Sequence, residues 1–545
     1  MISGYGKVYT ISPISAIKIF THIAGTDSLQ PYLSPLWNSS FLHPEYGIAL
    51  DFLRIRDKIS PVFAQLPASV PQRRVPAEAS VKKKEWKSMF EKIYNFTDFI
   101  WGIPLTILIV GVGLYLSVST GFFQITGFRT WWRKTIGEIF GKKKDAENHE
   151  GQLTPWQTIT TVLGGTVGSG NIAGVATAIA VGGPGAVFWM WLIAIVGMLT
   201  KMAEVSLSVK YRKIVDGEYY GGPMHYMKAA LGKIGKVLAV IYGIALLLDI
   251  ATDACAIQVS TLADAVNEVF GVPTIIVAAV VVVISLIIIL SGGVKKVGQV
   301  SSVIVPPMVI IYFIGCMGVI FGNIGNLPAA LGSVFKYAFA PAPAIGGFAG
   351  ATVTMAISKG AARGIFSNEA GMGTSATVHA TAQTDHPIHQ GMFGIFEVFV
   401  DTIIVCSLTG LAILCAEVLP TVTEETVGVG MVFRAFEGTW GRFGSVILCI
   451  AIVLFCYSGY LGFFVEFRTC TEWMVGIKAS KFVNLLFFVL PILATLLSTL
   501  EVWSICDIVV GLVIVPNLIA LLLLSRKFLR LFREYKAKLQ EDMHG

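Results

Sequence analysis

Charge is scarce in this 545-residue chain: only 14% of its residues are Asp, Glu, Lys or Arg, against roughly a quarter in an ordinary soluble domain. Apolar residues make up 54%, and mean hydropathy is +0.71. These values exclude a soluble globule and predict an all-α polytopic membrane protein. Several signatures of chemistry are missing too. No C-x-x-C pair occurs among Cys255, Cys316, Cys406, Cys415, Cys449, Cys456, Cys470 and Cys506, so neither a zinc site nor a disulfide framework is indicated. Neither H-E-x-x-H nor G-x-x-x-x-G-K-[ST] is present, which argues against a metalloprotease and against direct use of ATP. The run Val167-Gly168-Ser169-Gly170 lacks the leading glycine of an intramembrane serine protease motif. No enzyme and no cofactor are therefore expected. The net charge of +7 comes from Lys and Arg in loops and tails, where it orients helices and does not imply a nucleic-acid partner.

What is present is a series of long apolar runs. At roughly 20 residues per crossing, about eleven spans are predicted: 99–118, 157–180, 185–208, 236–265, 273–291, 299–321, 346–366, 391–416, 443–467, 481–500 and 502–525, the last two divided by a tight turn near Glu501. Three regions follow: residues 1–88 as an extension, 89–525 as the membrane domain and 526–545 as a basic tail. Residues 1–88 hold many prolines and no span of membrane length. They read as disordered or as lying ahead of a true start at Met89, with a regulatory extension as the competing reading. Basic residues cluster after alternate spans, at Arg129, Arg133, Lys134, Lys210, Arg212, Lys213, Lys295, Lys296, Lys359, Arg363, Arg468 and Lys478, and again in the tail. The positive-inside rule puts these and the C-terminus in the cytoplasm, in a plasma membrane or bacterial inner membrane.

Two glycine-rich stretches interrupt the apolar pattern. The first, G-T-V-G-S-G-N-I-A-G, covers residues 165–174; the second, G-G-F-A-G-A-T, covers 346–352. Backbone that leaves the helix inside a membrane must line a site or a cavity, and paired interruptions in two halves suggest a secondary transporter with repeats near 157–321 and 346–525. Gly168 and Gly170 allow positive φ and close ligand approach. The amides of Ser169, Gly170 and Asn171 would then receive a carboxylate at a half-helix N-terminus, while carbonyls from Gly164 to Val167 would face a cation. Close packing through small residues fits the same glycines. At the second stretch Phe348, Gly350, Thr352 and Met355 are candidates, with an ordinary helix start as the plain alternative.

Elsewhere Asp249, Asp253, Ser260 and Asp264 fall on one stripe of an ideal helix. Asp253 is the candidate to meet a substrate amine, a cation or a proton. Asp249 is expected to bond a neighbouring helix, Asp264 to reach the water interface, and Gln258 to lie on the opposite face unless the helix is distorted. Lys201 and Glu204 are expected to pair, Glu397 and Asp401 to be structural, and His379, His386 and His389 to sit in a solvated loop.

Residues 165–191, G-G-P-M at 221–224, G-F-A-G-A-T-V at 347–353, A-R-G-I-F-S-N-E-A-G-M-G at 362–373, T-D-H-P at 384–387 and D-T-I-I-V-C at 401–406 resemble the alanine-or-glycine:cation symporter family. The resemblance runs from about residue 90 to the end. It implies the LeuT or amino acid–polyamine–cation type of fold, with a leading helix and two inverted five-helix repeats. It further implies import of alanine or glycine with sodium. The carboxylate would meet Gly168, Ser169 and Gly170; Asn171, Gln258, Ser260, Phe348, Gly350, Thr352 and Met355 would complete the pocket. The cation would take carbonyls of Gly164 and Val167 and the hydroxyl of Ser458. This chain departs from the family pattern in places. Ser169 replaces a usual Thr, Gln258-Val259-Ser260 a usual Q-A-N, and Met355 a usual Gln. Gly459 stands where a second hydroxyl is usual, and Asp253 where the family is apolar. Losing a hard oxygen ligand weakens a sodium site, so the coupling ion is sodium or a proton. The expected partners are a small neutral amino acid and the lipid bilayer. A transporter-like sensor is the alternative of another class.

Overall fold

The computed structural model describes Trp101 and residues 103–139, 153–215, 217–344, 350–421, 427–495 and 499–544. The extension 1–88, the start at Met89 and Phe348 lie outside these. All described residues belong to the unit that begins at Lys82.

Helices α1 (Ile103–Ser119) and α2 (Phe128–Ile139) lead in. The first glycine-rich span follows as two pieces, α3 (Pro155–Thr166) and α4 (Val175–Gly182). Thr154 caps α3 in a reciprocal capping box with Gln157, and Pro155 takes the first turn, where its missing N–H costs nothing. Next come α5 (Ala186–Lys210), a hairpin of β1 (Lys213–Val215) and β2 (Glu218–Tyr220), and α6 (Pro223–Ala230). In the hairpin Ile214 pairs with Tyr219. Helices α7 (Gly232–Thr252) and α8 (Val259–Phe270) are joined by a π-helical segment, Asp253–Gln258. Beyond them lie α9 (Thr274–Gly322), α10 (Leu327–Phe339), α11 (Val353–Asn368) and the short α12 (Ala376–His379). A second π-helical segment, Phe399–Cys406, joins α13 (Pro387–Val398) to α14 (Ser407–Cys415). The chain ends with α15 (Val429–Trp440), α16 (Arg442–Val483), α17 (Leu486–Ala494) and α18 (Thr499–His544).

Among the described residues six helices are long and apolar enough to cross a membrane, or seven with the bent α3–α4 pair. The spans expected at 273–291 and 299–321 are the two arms of α9, separated by a kink at Gly292 and Gly293, where the backbone leaves the helical region and Gly293 has φ +56°. The helices on either side of the division expected near Glu501 are α17, which ends at Ala494, and α18, which begins at Thr499 and contains Glu501. The basic residues beyond 525 prolong that helix.

Burial separates central from peripheral spans. The apolar window of α5 is 72% buried, that of α9 only 28%. Val283, Ile287, Leu290, Ile310 and Ile314 of α9 are exposed, as a surface against lipid would be. In the centre α5 packs on α13 and α11, α7 on α18, and α9 on α16.

Candidate substrate and cation site

The α3–α4 span bends by 44° at its break. Val167 ends α3 with φ −79° and ψ 88°, outside the helical region. At Gly168 a Cβ would come 2.9 Å from both terminal atoms of Gln258. At Gly170 it would come 3.0 Å from Phe366 Cδ1 and 3.2 Å from Ser367 Cα. A side chain at Gly168 would have to push aside the end of Gln258, and one at Gly170 would crowd Phe366 and the backbone of Ser367.

The N–H groups released by the break are held by side-chain oxygens. Gly168 N donates to Asn171 Oδ1 at 2.8 Å, and Ser169 N to Gln258 Oε1 at 3.0 Å. Ser169 Oγ is buried and has no hydrogen-bond partner. The amide of Asn171, expected to point into a cavity, donates to Gly168 O at 3.3 Å.

Gln258 reaches this point because its helix is distorted. In an α-helix residues i and i+5 diverge by about 140°. The π-helical turn lengthens the repeat to i→i+5, which aligns Asp253 and Gln258. Gln258 Nε2 donates to Asp253 Oδ1 at 3.1 Å, so one amide links Asp253 to the break. Ser260 is half-buried and forms no hydrogen bond with residues of the break.

Ser458 sits where a cation ligand was expected. Its Oγ is 3.2 Å from Gly164 O, 3.0 Å from Phe455 O and 3.3 Å from Met308 Sδ. A Cβ on Gly459 would lie 3.5 Å from Gly164 O, which confirms that the position lacking a second hydroxyl faces the same carbonyl. Two oxygens and a thioether make a thin site for a hard monovalent cation.

The second break is not where the glycines of 346–352 placed it. Helix α11 begins at Val353, with Thr352 as its exposed N-cap accepting from Met355 N at 3.2 Å. Gly350 lies in a tight turn against Ala342 and Ala344, closed by a bridge between Ala342 and Ala351. Met355 lies beside Gly182, at the far end of α4. The described part of the stretch, Gly350 to Thr352, leads into a helix start. Thr352 stands about 20 Å along α11 from Phe366, which is the residue that touches the first break. The interruption follows α11, at residues 369–375: Glu369, Gly371 and Gly373 have φ of 54°, 100° and 76°. The sequence signal was present in S-N-E-A-G-M-G as two glycines behind a polar pair.

Asp401 ties the two breaks together, a role not anticipated. Asn171 Nδ2 donates to its Oδ1 at 2.7 Å, Ser367 Oγ to its Oδ2 at 2.8 Å and Thr402 Oγ1 to Oδ2 at 2.7 Å. Asn368 Nδ2 bonds Thr402 Oγ1 at 2.9 Å, and Thr409 Oγ1 donates to Asn171 O at 2.7 Å. Three donors thus converge on one buried carboxylate, as a buried polar group requires.

Towards the other side of the breaks lies a buried ion cluster. Lys201 pairs with Glu397 at 3.1 Å and donates to Ser375 Oγ at 2.6 Å; it does not pair with Glu204. Glu204 Oε1 instead accepts from Asn517 Nδ2 at 2.6 Å and Gly371 N at 3.0 Å. His379 is fully buried and bonds Glu397 Oε2 at 3.0 Å. Only His386 and His389 flank the loop before α13, and His389 is itself largely buried, against Asp385 at 2.9 Å. The solvated-loop expectation failed because the second break folds that segment inward. Arg363, counted among loop charges, is likewise buried in α11 and grips Asp507 of α18 at 2.5 and 2.8 Å.

A broken span, a second break beside it and a carbonyl–hydroxyl contact with α16 define a transporter of the discontinuous-helix class. Among solved structures, the fold resembles MhsT in complex with L-phenylalanine, with a TM-score of 0.53, 16% identity, and coverage of 69% of this chain and 90% of that one. The chain belongs to the sodium:alanine symporter family, which it matches over residues 86–545. Its relatives include an uncharacterized transporter of Haemophilus influenzae, 38% identical over 83% of this chain and 97% of that one. The sodium/alanine symporter AgcS of Methanococcus maripaludis is 36% identical over 79% and 94%. The probable sodium/glutamine symporter GlnT of Bacillus subtilis is 31% identical over 80% and 89%. The protein is thus a multi-pass membrane symporter for cation-coupled amino-acid transport, and not an enzyme.

Proposed function

We propose that this protein carries alanine or glycine with sodium into the cell across the plasma membrane, by alternating access, with its C-terminus in the cytoplasm. The observation that carries the reading is at Ser169. Its N–H holds the amide oxygen of Gln258 at 3.0 Å, and its buried hydroxyl has no partner. A substrate carboxylate replacing Gln258 Oε1 would engage both groups at once, at the positive end of a half-helix. Asn171 keeps the Gly168 amide in place, and Asp401 holds Asn171.

Size favours the small substrates. Gln258 and Phe366 close in on the break so far that a Cβ on Gly168 or Gly170 would come within 3.0 Å of them, a tight surround that favours a small substrate over glutamine. We assign the aromatic cover to Phe366, whereas the resemblance implied Phe348. Gly350, Thr352 and Met355 then lie outside the binding contacts. Sodium would take Gly164 O and Ser458 Oγ, with Val167 O as a further carbonyl. Binding there draws α16 against α3, and the Asn171–Asp401–Ser367 bonds pass the movement to the second break.

The test is uptake of radiolabelled alanine, glycine and glutamine into proteoliposomes under an imposed sodium gradient. Concentrative uptake of alanine or glycine, abolished by Ser458→Ala, is the expected result. Binding without concentrative uptake would overturn transport in favour of a sensor. Faster uptake of glutamine than of alanine would overturn the size argument.

A further inference from the structure

We propose that Asp249 is a proton-binding carboxyl, loaded on one side of the membrane and unloaded on the other, and so a second coupling site beside that of Ser458. This deepens the transport reading and rests on it.

Asp249 is fully buried, and neither of its carboxylate oxygens has a hydrogen-bond partner. The expectation that it bonds a neighbouring helix fails. An ionised carboxylate left unpaired at membrane depth costs several kcal/mol and must be neutralised. Among the described residues the charges that act on it are negative. Asp253 lies one turn along its own helix. From the second break comes Glu369, and the charges of Asp253 and Glu369 act on Asp249 with its own sign. Cys506 of α18 feels the Asp249 charge, and its neighbour Asp507 is engaged by Arg363. From α16 comes Glu466, on which the Asp249 charge acts and whose Oε2 is also buried and unpartnered. Lys201, the buried ammonium nearest this region, is engaged by Glu397.

Helix geometry puts Asp249 and Glu466 at one level. Cys470 Sγ donates to Gly243 O at 3.3 Å, and a Cβ on Gly459 would lie 3.3 Å from Gln258 Cδ, so α7 and α16 run antiparallel here. From the Gly243–Cys470 contact Asp249 is about 9 Å along α7, and Glu466 about 6 Å along α16 in the same direction.

A proton neutralises this carboxyl without a coordination shell, and neither oxygen of Asp249 meets a hydrogen-bonding group. Among the described residues no three His, Cys, Asp or Glu side chains come together closely enough to hold a metal ion. A sodium ion on carbonyl and hydroxyl oxygens is the other cation that could serve, and alanine uptake without acidification would point to it.

The connection to the substrate is short. Asp253 Oδ1 accepts from Gln258 Nε2, and Gln258 Oε1 accepts from Ser169 N. A substrate carboxylate that displaces Gln258 Oε1 from Ser169 frees that amide to turn, and where the turn takes Nε2 from Asp253 a proton on the Asp249–Asp253 pair is favoured. One proton is taken from water with the substrate and returned to water on the opposite side. No other bond is made or broken.

The experiment uses the full chain in liposomes with a trapped pH dye, the membrane potential clamped and an inward sodium gradient. Adding alanine to wild-type vesicles should acidify the lumen. Asp249→Asn should keep alanine counterflow and lose the acidification, and Asp249→Glu should restore it. Acidification by Asp249→Asn equal to wild type, or wild-type alanine uptake without acidification, overturns the proposal. If no alanine moves at all, the substrate reading fails, and infrared spectra of the purified protein decide on Asp249. Loss of a protonated-carboxyl carbonyl band in Asp249→Asn, with a shifted band in Asp249→Glu, supports the proton site. Identical spectra in all three proteins overturn it.

Discussion

Breaking the Arg363–Asp507 pair should loosen the cover over the first break. The guanidinium bonds both carboxylate oxygens, at 2.5 and 2.8 Å, and lies 4.5 Å from the Trp503 ring centroid. The Trp503 ring in turn meets Phe366 at 4.8 Å, and a Cβ on Gly174 would be 3.7 Å from Arg363 Cδ. One ion pair therefore clamps α18 to α11 above α4. In Asp507→Leu the Arg363 charge remains at 5% exposure with no counter-ion, at a cost of about 3–5 kcal/mol. That is on the order of a hundred- to several-thousand-fold in an opening equilibrium. The double variant Arg363→Met/Asp507→Leu removes both desolvation penalties and should recover most of the loss, since apolar replacement of a buried pair is often neutral. The assay pairs thermal unfolding with the rate of thiol labelling at Ser169→Cys. The eight native cysteines are all buried and leave a low background. A change below about 1 kcal/mol in Asp507→Leu, a size typical of exposed pairs, would refute the reasoning. So would a double variant as damaged as the sum of the singles.

Three further outcomes are expected. Gly168→Ala should abolish uptake while the protein stays folded, because its Cβ strikes the flexible end of Gln258; pairing it with Gln258→Ala should restore folded-state packing, read by uptake and melting together. Lys201→Met should cost about 3–5 kcal/mol in thermal stability by stranding Glu397, with Lys201→Met/Glu397→Leu recovering much of it. His225, in α6, has its imidazole held down to about 4, first by burial and then by Lys213. The unfolded imidazole takes its proton near 6.5, so stability is complete at neutral pH. It then falls as pH drops through the window between these values. The loss by pH 5 is about 2 kcal/mol, and His225→Phe should flatten that part of the stability–pH curve.

Much of the first half of the site was legible because its signals are local. Glycines at 168 and 170 beside Ser169 and Asn171 announce a broken helix, since glycine permits close approach and weakens a helix interior. Gly164 O and Ser458 Oγ, named together from the resemblance, stand 3.2 Å apart. The second break was misplaced by about twenty residues because a glycine run before a helix and a glycine run within a span look alike in one dimension. Gly346 to Gly350 lead up to the N-cap at Thr352, whereas Gly371 and Gly373 share a turn with Glu369 and supply the interruption. The pairings of charged residues were read worst. Spacing suggested Lys201 with Glu204, yet Lys201 is engaged by Glu397 and Ser375, and Glu204 Oε1 by Asn517 and Gly371, since a buried side chain bonds whatever packs against it.

The sequence by itself determined that this is a membrane protein of apolar helices, where it breaks first and to which family it belongs. Those properties depend on composition, on backbone freedom at single glycines and on contiguous motifs. Only the tertiary structure decided that Gln258 turns through a π-helical segment to meet Ser169, that Asp401 joins the two breaks and that Asp249 is left without a donor. Each of these depends on which helices face one another at a given depth, and helix periodicity fixes the face of a residue but not its neighbour.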